Sequence, residues 1–511
     1  MKVPLTIRDH LHRALAVYPD RVAFVDEPDQ PALSMGEVTF AQLGELADAM
    51  GAGLDALGVP MGGRVAMVSH NAGRLLTSFW GVSGNGRVFV PVNFRLSTDE
   101  VAYIVEHCGA DVLLVDPELA DQLASIRCRH KFVLGVESDE ALFRFGTAPR
   151  TWTPDEDQTA VINYTSGTTA RPKGVQQTHR SLWLNAAVFG WQATVSDRDN
   201  YLHTLPMFHC NGWGMPYALV GMGSKQVVLR KVDGAEILRR VAEHDITIMC
   251  GAPAVVAAIL DAAAEWDGPI PGTGRTRIVV AGAPPPTRTI ERVETELDWE
   301  FIHLYGLTET APLLTMNRGR AEWDHLSPGE RARKLARQGV PGLGVRMALS
   351  PDGEFLARTN HVLEGYWEQP EATDEAIVDG WFHTGDGGYT DEDGYYTITD
   401  RKKDVIISGG ENVSSIEVED ALFSHPAVAE VAVIGVPHPK WGETVKALVV
   451  LAPGAEATPE DLIAHCRDLI AHYKCPTSVE IRTELARTAT GKLQKFKLRA
   501  PYWEGMEKAV N

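Results

Sequence analysis

The twelve residues Tyr164-Thr165-Ser166-Gly167-Thr168-Thr169-Ala170-Arg171-Pro172-Lys173-Gly174-Val175 set hydroxyls, small residues and two cations between apolar flanks. The backbone N–H groups of such a loop, joined by its hydroxyls, can surround phosphate oxygens. Glycine permits close approach, and Arg171 and Lys173 supply charge. The segment is not the G-x-x-x-x-G-K-S/T loop, because a proline precedes the lysine and no Ser or Thr follows it. A flexible linker shares this composition. The flanks argue against it: Val161-Ile162-Asn163-Tyr164 reads as a strand. Beyond the loop a helical pattern, capped by Thr178, puts Leu182, Ala186 and Phe189 on one face. Strand, loop and helix in that order favour a phosphate site.

The elements around this loop belong to a long chain. With 511 residues, more than one core is expected. The content of 44% hydrophobic and 23% charged residues is that of a globular protein. Lys and Arg total 48 against 68 Asp and Glu, a net charge of −20, which argues against nucleic acid or an anionic membrane as a partner. An anionic ligand must then be held by a local cationic pocket. Six scattered cysteines without C-x-x-C spacing argue against structural zinc and suit a reducing, cytoplasmic location. No apolar run has the ~18 residues that span a bilayer, and the N-terminus lacks the apolar core of a signal peptide.

Up to about residue 340, apolar strands such as 64–68, 88–92, 111–115, 226–230, 277–281 and 301–305 alternate with helical stretches such as 99–107. That alternation predicts mostly parallel sheets covered by helices. Beyond it, Gly, Pro and Asp become frequent and short strands dominate, with Asp393-Gly394 as a tight turn. After the charged run Asp400-Arg401-Lys402-Lys403-Asp404 comes a compact α+β pattern with strands near 430–436 and 444–451. A helix is expected over 459–473, capped by Thr458, opened by Pro459 and burying Leu462, Cys466, Leu469 and Tyr473. The boundary falls at about 401–404. The fold class is α/β: a large N-terminal domain over 1–400 and a small α+β domain over 401–511.

Further motifs follow the loop in order: Ala281-Gly282-Ala283-Pro284, Leu304-Tyr305-Gly306-Leu307-Thr308-Glu309-Thr310, Trp381-Phe382-His383-Thr384-Gly385-Asp386, Arg401 and Arg487-Thr488-Ala489-Thr490-Gly491-Lys492. Nearly end to end, the chain resembles the adenylate-forming superfamily of acyl-CoA synthetases, firefly-type luciferases and peptide-synthetase adenylation domains. Its members activate a carboxylic acid as acyl-AMP with release of pyrophosphate, and the ligases then pass the acyl group to coenzyme A. The implied substrates and cofactors are ATP, Mg²⁺, CoA and a small carboxylic acid; a homodimer stays an open option.

The resemblance implies a role for each matching residue. Thr165, Ser166, Gly167, Thr168, Thr169 and Lys173 would handle the β- and γ-phosphates; Ala170 stands where glycine is common. Gly282, Ala283 and Pro284 would line the adenine and the acyl pocket. Tyr305 would stack on adenine beside Gly306, Thr308 would bond the α-phosphate, and Glu309 would hold magnesium, which prefers oxygen ligands. Asp386 would accept both ribose hydroxyls, joined by Arg401. Lys492 would offset the charge that builds up when a carboxylate attacks the α-phosphate. Lys403 would be the hinge about which the small domain turns, presenting Ser408, Gly409 and Gly410 to pantetheine. Trp441 would stack on the CoA adenine, or be a half-exposed packing residue. His209 would gate the junction of acid and thiol tunnels, with Trp213 and Gly306 at the acyl pocket.

No aspartate lies between Leu205 and Tyr217, where amino-acid-activating relatives carry one to pair the substrate ammonium, so an uncharged acyl tail, medium-chain or aryl, is expected. An amide-forming ligase, in which an amine replaces CoA, is the alternative. A luciferase-type monooxygenase is a further option, and a non-catalytic nucleotide binder is disfavoured by the intact motifs.

Overall fold

The computed structural model describes residues 1–165, 171–401, 404–408, 411–487 and 493–504. Two large sheets organise the first 400 residues. In the nine-stranded sheet, the six inner strands Glu300–Gly306, Arg277–Val280, Ile248–Gly251, Asn200–His203, Lys225–Val228 and Val22–Val25 are parallel, and antiparallel strands close both edges. The seven-stranded sheet has five parallel strands, His130–Val133, Ala110–Val115, Arg64–Val68, Val88–Val92 and Thr159–Thr165. The antiparallel strands Lys173–Thr178 and Gly365–Tyr366 complete it.

One core joins the two sheets. Phe24 and Val228 come from the first, Val65, Met67 and Val161 from the second. Between them lie side chains of the helices Phe40–Ala56, Gly73–Gly81, His179–Gln192 and Met215–Met222. Burial on both faces explains the near-continuous apolar runs of strands such as Val88–Val92, in which every residue is buried. A third, wholly antiparallel sheet contains Arg346–Leu349, Glu354–Arg358, Trp381–Thr390 and Tyr396–Arg401. After it a small α+β unit packs the helices Ser415–Phe423 and Pro459–Leu469 on a five-stranded sheet.

Two local expectations change. The hydroxyl-rich loop does not run from a strand into a helix: Lys173–Thr178 is itself a strand, with Lys173 opposite Thr165, so residues 166–170 connect two paired ends. The helix capped by Thr178 follows directly, with Leu182, Ala186 and Phe189 buried as expected. Polar Gln176 and Gln177 concealed this strand. Gln177 is fully buried because it accepts from Asn163 Nδ2 at 3.0 Å and donates to the Thr308 carbonyl at 2.7 Å. The helix expected over 459–473 ends at Leu469. Thr458 and Asp461 form the capping box and Pro459 opens it, but Leu469 and Tyr473 are exposed. Pro476 disfavours a helical Cys475, which is extended (φ −63°, ψ 146°), and Tyr473 sits in a separate turn.

Candidate active site

Ligands of open α/β sheets bind beyond the carboxyl ends of parallel strands. Three of the expected segments leave that edge of the nine-stranded sheet: 204–214 after Asn200–His203, 281–286 after Arg277–Val280, and 307–310 after Glu300–Gly306. Gly306 has to be glycine, since a Cβ there would overlap the Pro312 carbonyl oxygen. Gly282, at φ 94°, turns the chain out of its strand, and Ala283 is half-buried beside exposed Pro284.

Asp386 is the hub of a first cluster. Its Oδ2 accepts from the Tyr305 hydroxyl at 2.8 Å and its Oδ1 lies 3.2 Å from Arg401 Nε. Asp386 and Arg401 face each other across the hairpin of Trp381–Thr390 with Tyr396–Arg401. The carboxylate is 4% exposed, whereas the Arg401 side chain is 47% exposed, so the pair has one buried and one open end. Asp386 raises the Arg401 pKa further, and burial, followed by Asp386, pushes up that of Tyr305. Thr384 Oγ1 accepts from Asp386 N at 3.1 Å, and Glu354 accepts from Gly385 N at 2.8 Å, fixing the approach to the carboxylate.

A second cluster centres on Tyr366. Its hydroxyl donates to Glu309 Oε1 at 2.9 Å, and Lys173 Nζ stands 4.7 Å from its ring centroid. The sheet explains this convergence, because Gly365–Tyr366 pairs with Val175 and Gln176 of the Lys173–Thr178 strand. The amide of Leu363 also bonds the Glu309 carbonyl at 2.7 Å. Burial, then Glu309, raises the Tyr366 pKa, so the phenol stays a donor. The Gln177 bond to the Thr308 carbonyl ties the same sheet to the segment carrying Thr308 and Glu309. The expected residues Thr165, Lys173, Tyr305, Gly306, Thr308, Glu309, Asp386 and Arg401 are thereby linked through paired strands and side-chain bonds. Ser166, Gly167, Thr168 and Thr169 lie outside the described residues.

Half-buried His209 opens a turn of unusual backbone. Cys210, Asn211, Gly212, Trp213 and Gly214 all have positive φ, from 36° to 77°. Left-handed geometry costs a non-glycine residue roughly 1–2 kcal/mol, so three such residues in one turn need strong anchoring. Asn211 bonds the Tyr217 hydroxyl. Asn185 Nδ2 donates to the Trp213 carbonyl at 3.2 Å while its Oδ1 accepts from Leu313 N at 3.1 Å. Trp213 shares one buried cluster with Leu205, Ala281, Leu304 and Leu313.

On the small unit, Ser408 pairs with both Glu411 and Gly442, which brings both residues beside Trp441. Trp441 is 40% exposed and stacks on His438, with centroids 4.3 Å apart and planes at 15°. Lys403, Gly409, Gly410 and Lys492 lie outside the described residues. Across the two units, Asp420 of the helix Ser415–Phe423 accepts from Thr287 N at 2.9 Å and Oγ1 at 3.0 Å, just after the 282–286 segment.

Gln177, Asn185, Glu354 and Tyr366 act in this site without having been expected from the sequence. None of them left a local signal, since their partners in the site lie distant in sequence. Among the described residues no group of three His, Cys, Asp or Glu forms a metal cage, and no helix is long and apolar enough to cross a membrane. Magnesium nevertheless fits: it takes one or two protein carboxylates and completes its shell with phosphate oxygens and waters, and Glu309 supplies one such carboxylate.

A family model described as AMP-binding enzyme matches residues 11–367, and one described as AMP-binding enzyme C-terminal domain matches residues 417–492. The chain is 36% identical over 468 residues to 4-hydroxybutyrate–CoA ligase 2 of Metallosphaera sedula, covering 85% of this chain and 84% of that protein. An anthranilate CoA ligase in complex with anthranoyl-AMP superposes with a TM-score of 0.88 at 28% identity, covering 98% of this chain and 99% of the other. The o-succinylbenzoate coenzyme A synthetase of Bacillus subtilis, bound to ATP and magnesium ion, gives a TM-score of 0.81 at 26% identity over 96% and 99% of the two chains. With matches to both its large and its C-terminal domain, the chain belongs to the AMP-binding enzyme family, the adenylate-forming acid–CoA ligases.

Proposed function

We propose that this protein joins a medium-chain or aryl carboxylic acid to coenzyme A, by way of an acyl-adenylate and pyrophosphate. The observation that carries the reading is the placement of Asp386 between Tyr305 and Arg401, next to the strands that bring Lys173 and Glu309 to one tyrosine. Asp386 and Arg401 take the ribose, the Tyr305 ring and 282–284 flank the adenine, and Thr308 bonds the α-phosphate. Lys173, with Thr165 and 166–169, cradles the β- and γ-phosphates. Magnesium, held by Glu309, would neutralise phosphate charge. Lys492 supplies the second cation as the acid's carboxylate attacks the α-phosphate, because two anions must meet there.

The residues from about 401–404 onward form the mobile domain, turning at Lys403 so that Ser408, Gly409 and Gly410 meet the pantetheine arm and Trp441 meets the CoA adenine. His209 gates the meeting of acid and thiol, and Trp213 with Gly306 walls the acyl end. The absence of an aspartate between Leu205 and Tyr217 supports an uncharged tail. The similarity to CoA ligases favours CoA over an amine as acceptor. A cytoplasmic location is part of the reading, supported by six cysteines that are all free thiols. The test is pyrophosphate release across a panel of straight-chain and aryl acids, with and without CoA. CoA-dependent formation of one acyl-CoA is expected; CoA-independent turnover to a stable amide in the presence of an amine would replace this reading with the alternative.

A further inference from the structure

The helix Lys495–Arg499 starts three residues after Lys492, and its first side chain turns inward, 14% exposed. Lys495 Nζ donates to Ser415 Oγ and lies 2.8 Å from Glu419 Oε1, which also accepts from Val433 N at 2.8 Å. Ser415, fully buried, passes the contact on: its hydroxyl and its amide both reach Asp400 Oδ2, at 2.6 Å and 3.1 Å. The other oxygen of Asp400 accepts from Arg401 N at 2.9 Å, and Arg401 holds Asp386. An unbroken chain of polar contacts therefore runs from the ribose-side carboxylate to the helix that follows Lys492. A second tie joins Arg499 to Asp404 at 3.7 Å.

Burying an ammonium is expensive unless it is well paired, and a whole buried ion pair can commonly be replaced by apolar side chains at no loss of stability. Packing alone does not call for a lysine at this position. What the charge provides is direction: it seats the helix on Ser415 and Glu419 and, through Ser415, on the backbone that presents Arg401.

We propose that Lys495 is a positioning residue for adenylate formation, seating the helix that begins three residues after Lys492 on the strand that carries Asp400 and Arg401. The inference rests on the role assigned above to Lys492. Misplacing a reacting group by about 1 Å costs up to ~10²-fold. Lys495→Met is therefore expected to slow acid-dependent pyrophosphate–ATP exchange by about 10- to 100-fold, in kcat rather than in KM for ATP. Reaction of pre-formed acyl-adenylate with CoA should be nearly unchanged.

Lys495→Arg should restore most of the exchange. Ser415→Ala, which keeps the Lys495–Glu419 pair, should lose less but in the same half-reaction, and it decides the matter if Lys495→Met does not fold. Equal loss of both half-reactions, or full exchange in Lys495→Met, overturns the inference. Lys492→Ala is measured alongside. Full exchange in that variant would discard the reading of Lys492 itself, whereas an inactive Lys492→Ala beside a fully active Lys495→Met would discard only the role of Lys495.

Discussion

Tyr305 and Asp386, 81 positions apart, are joined by a 2.8 Å hydrogen bond that links the nine-stranded sheet to the antiparallel one. The bond orients a carboxylate whose other oxygen already faces Arg401. Asp386→Asn weakens both contacts and removes an acceptor for ribose. A hydrogen bond to a charged group contributes about 1.5–3 kcal/mol, so kcat/KM for ATP should fall at least tenfold. Tyr305→Phe keeps the ring and should cost only severalfold. Pyrophosphate exchange at varied ATP separates the two, and a harmless Asp386→Asn would remove Asp386 from the nucleotide site.

Glu309 and Lys173 share Tyr366, yet their tasks differ. Glu309→Gln keeps the shape and the Tyr366 contact but removes the charge. The magnesium needed for half-maximal exchange should rise and turnover should drop by about 10²-fold, as for comparable electrostatic groups. Tyr366→Phe should lose much less. Chelation of divalent ions should abolish exchange in all variants. An unaltered magnesium dependence in Glu309→Gln would count against Glu309 as the metal carboxylate.

Asn185 ties the left-handed turn to the strand Leu313–Asn317. Asn185→Ala leaves the Trp213 carbonyl and the Leu313 amide without this partner, and each orphaned buried group costs about 1–3 kcal/mol. A lower thermal midpoint is expected, together with a loss of acid selectivity, because Trp213 is released. The selectivity is read by comparing kcat/KM over the acid panel.

Acid should destabilise the protein before its carboxylates protonate. Burial lowers the pKa of His203, His303 and His361 from 6.5 to about 4. Between those values the unfolded chain binds protons that the folded chain does not. Stability therefore declines as pH falls from 6.5 towards 4, by roughly 2 kcal/mol per imidazole at pH 5. Among the described residues neither ring nitrogen of His361 has a hydrogen-bond partner, so His361→Gln offers a direct check. Its denaturant midpoint should change less between pH 7 and pH 5 than that of the parent.

The Asp420–Thr287 contact bridges the two units. Asp420→Ala should weaken the observed arrangement by roughly 1 kcal/mol, given partial exposure, and shift its population about fivefold. Fluorophores placed on the two units would report this as a changed transfer efficiency at unchanged global stability; an identical distribution in parent and variant would refute a latch.

Much of this was legible in the sequence because the chemistry sits on contiguous motifs at strand ends. Leu304–Thr310 runs off the end of a strand, Trp381–Asp386 lies within one, and each carries its own spacing. The Thr178 cap and the buried Leu182, Ala186 and Phe189 were equally plain, since a helix writes its face every three or four residues. The strand Lys173–Thr178 was hidden because Gln177 is buried by hydrogen bonds rather than by apolar character, which removes the alternation that betrays a strand. Tyr366 was missed for a related reason: its link to Glu309 arises from pairing between strands almost 200 positions apart. No local pattern records such a meeting.

The pairing of Ser408 with Gly442 has a wider consequence. It joins the strands Ile406–Ser408 and Glu411–Val413, next to Trp441, into one sheet of the small unit, while Asp386, Glu309 and Trp213 stay with the large one. With the roles proposed above, choice of acceptor and choice of acid are then inherited on different bodies. Grafting a relative's last hundred residues should transplant the first preference and leave the second behind, so that lineages can trade one without relearning the other.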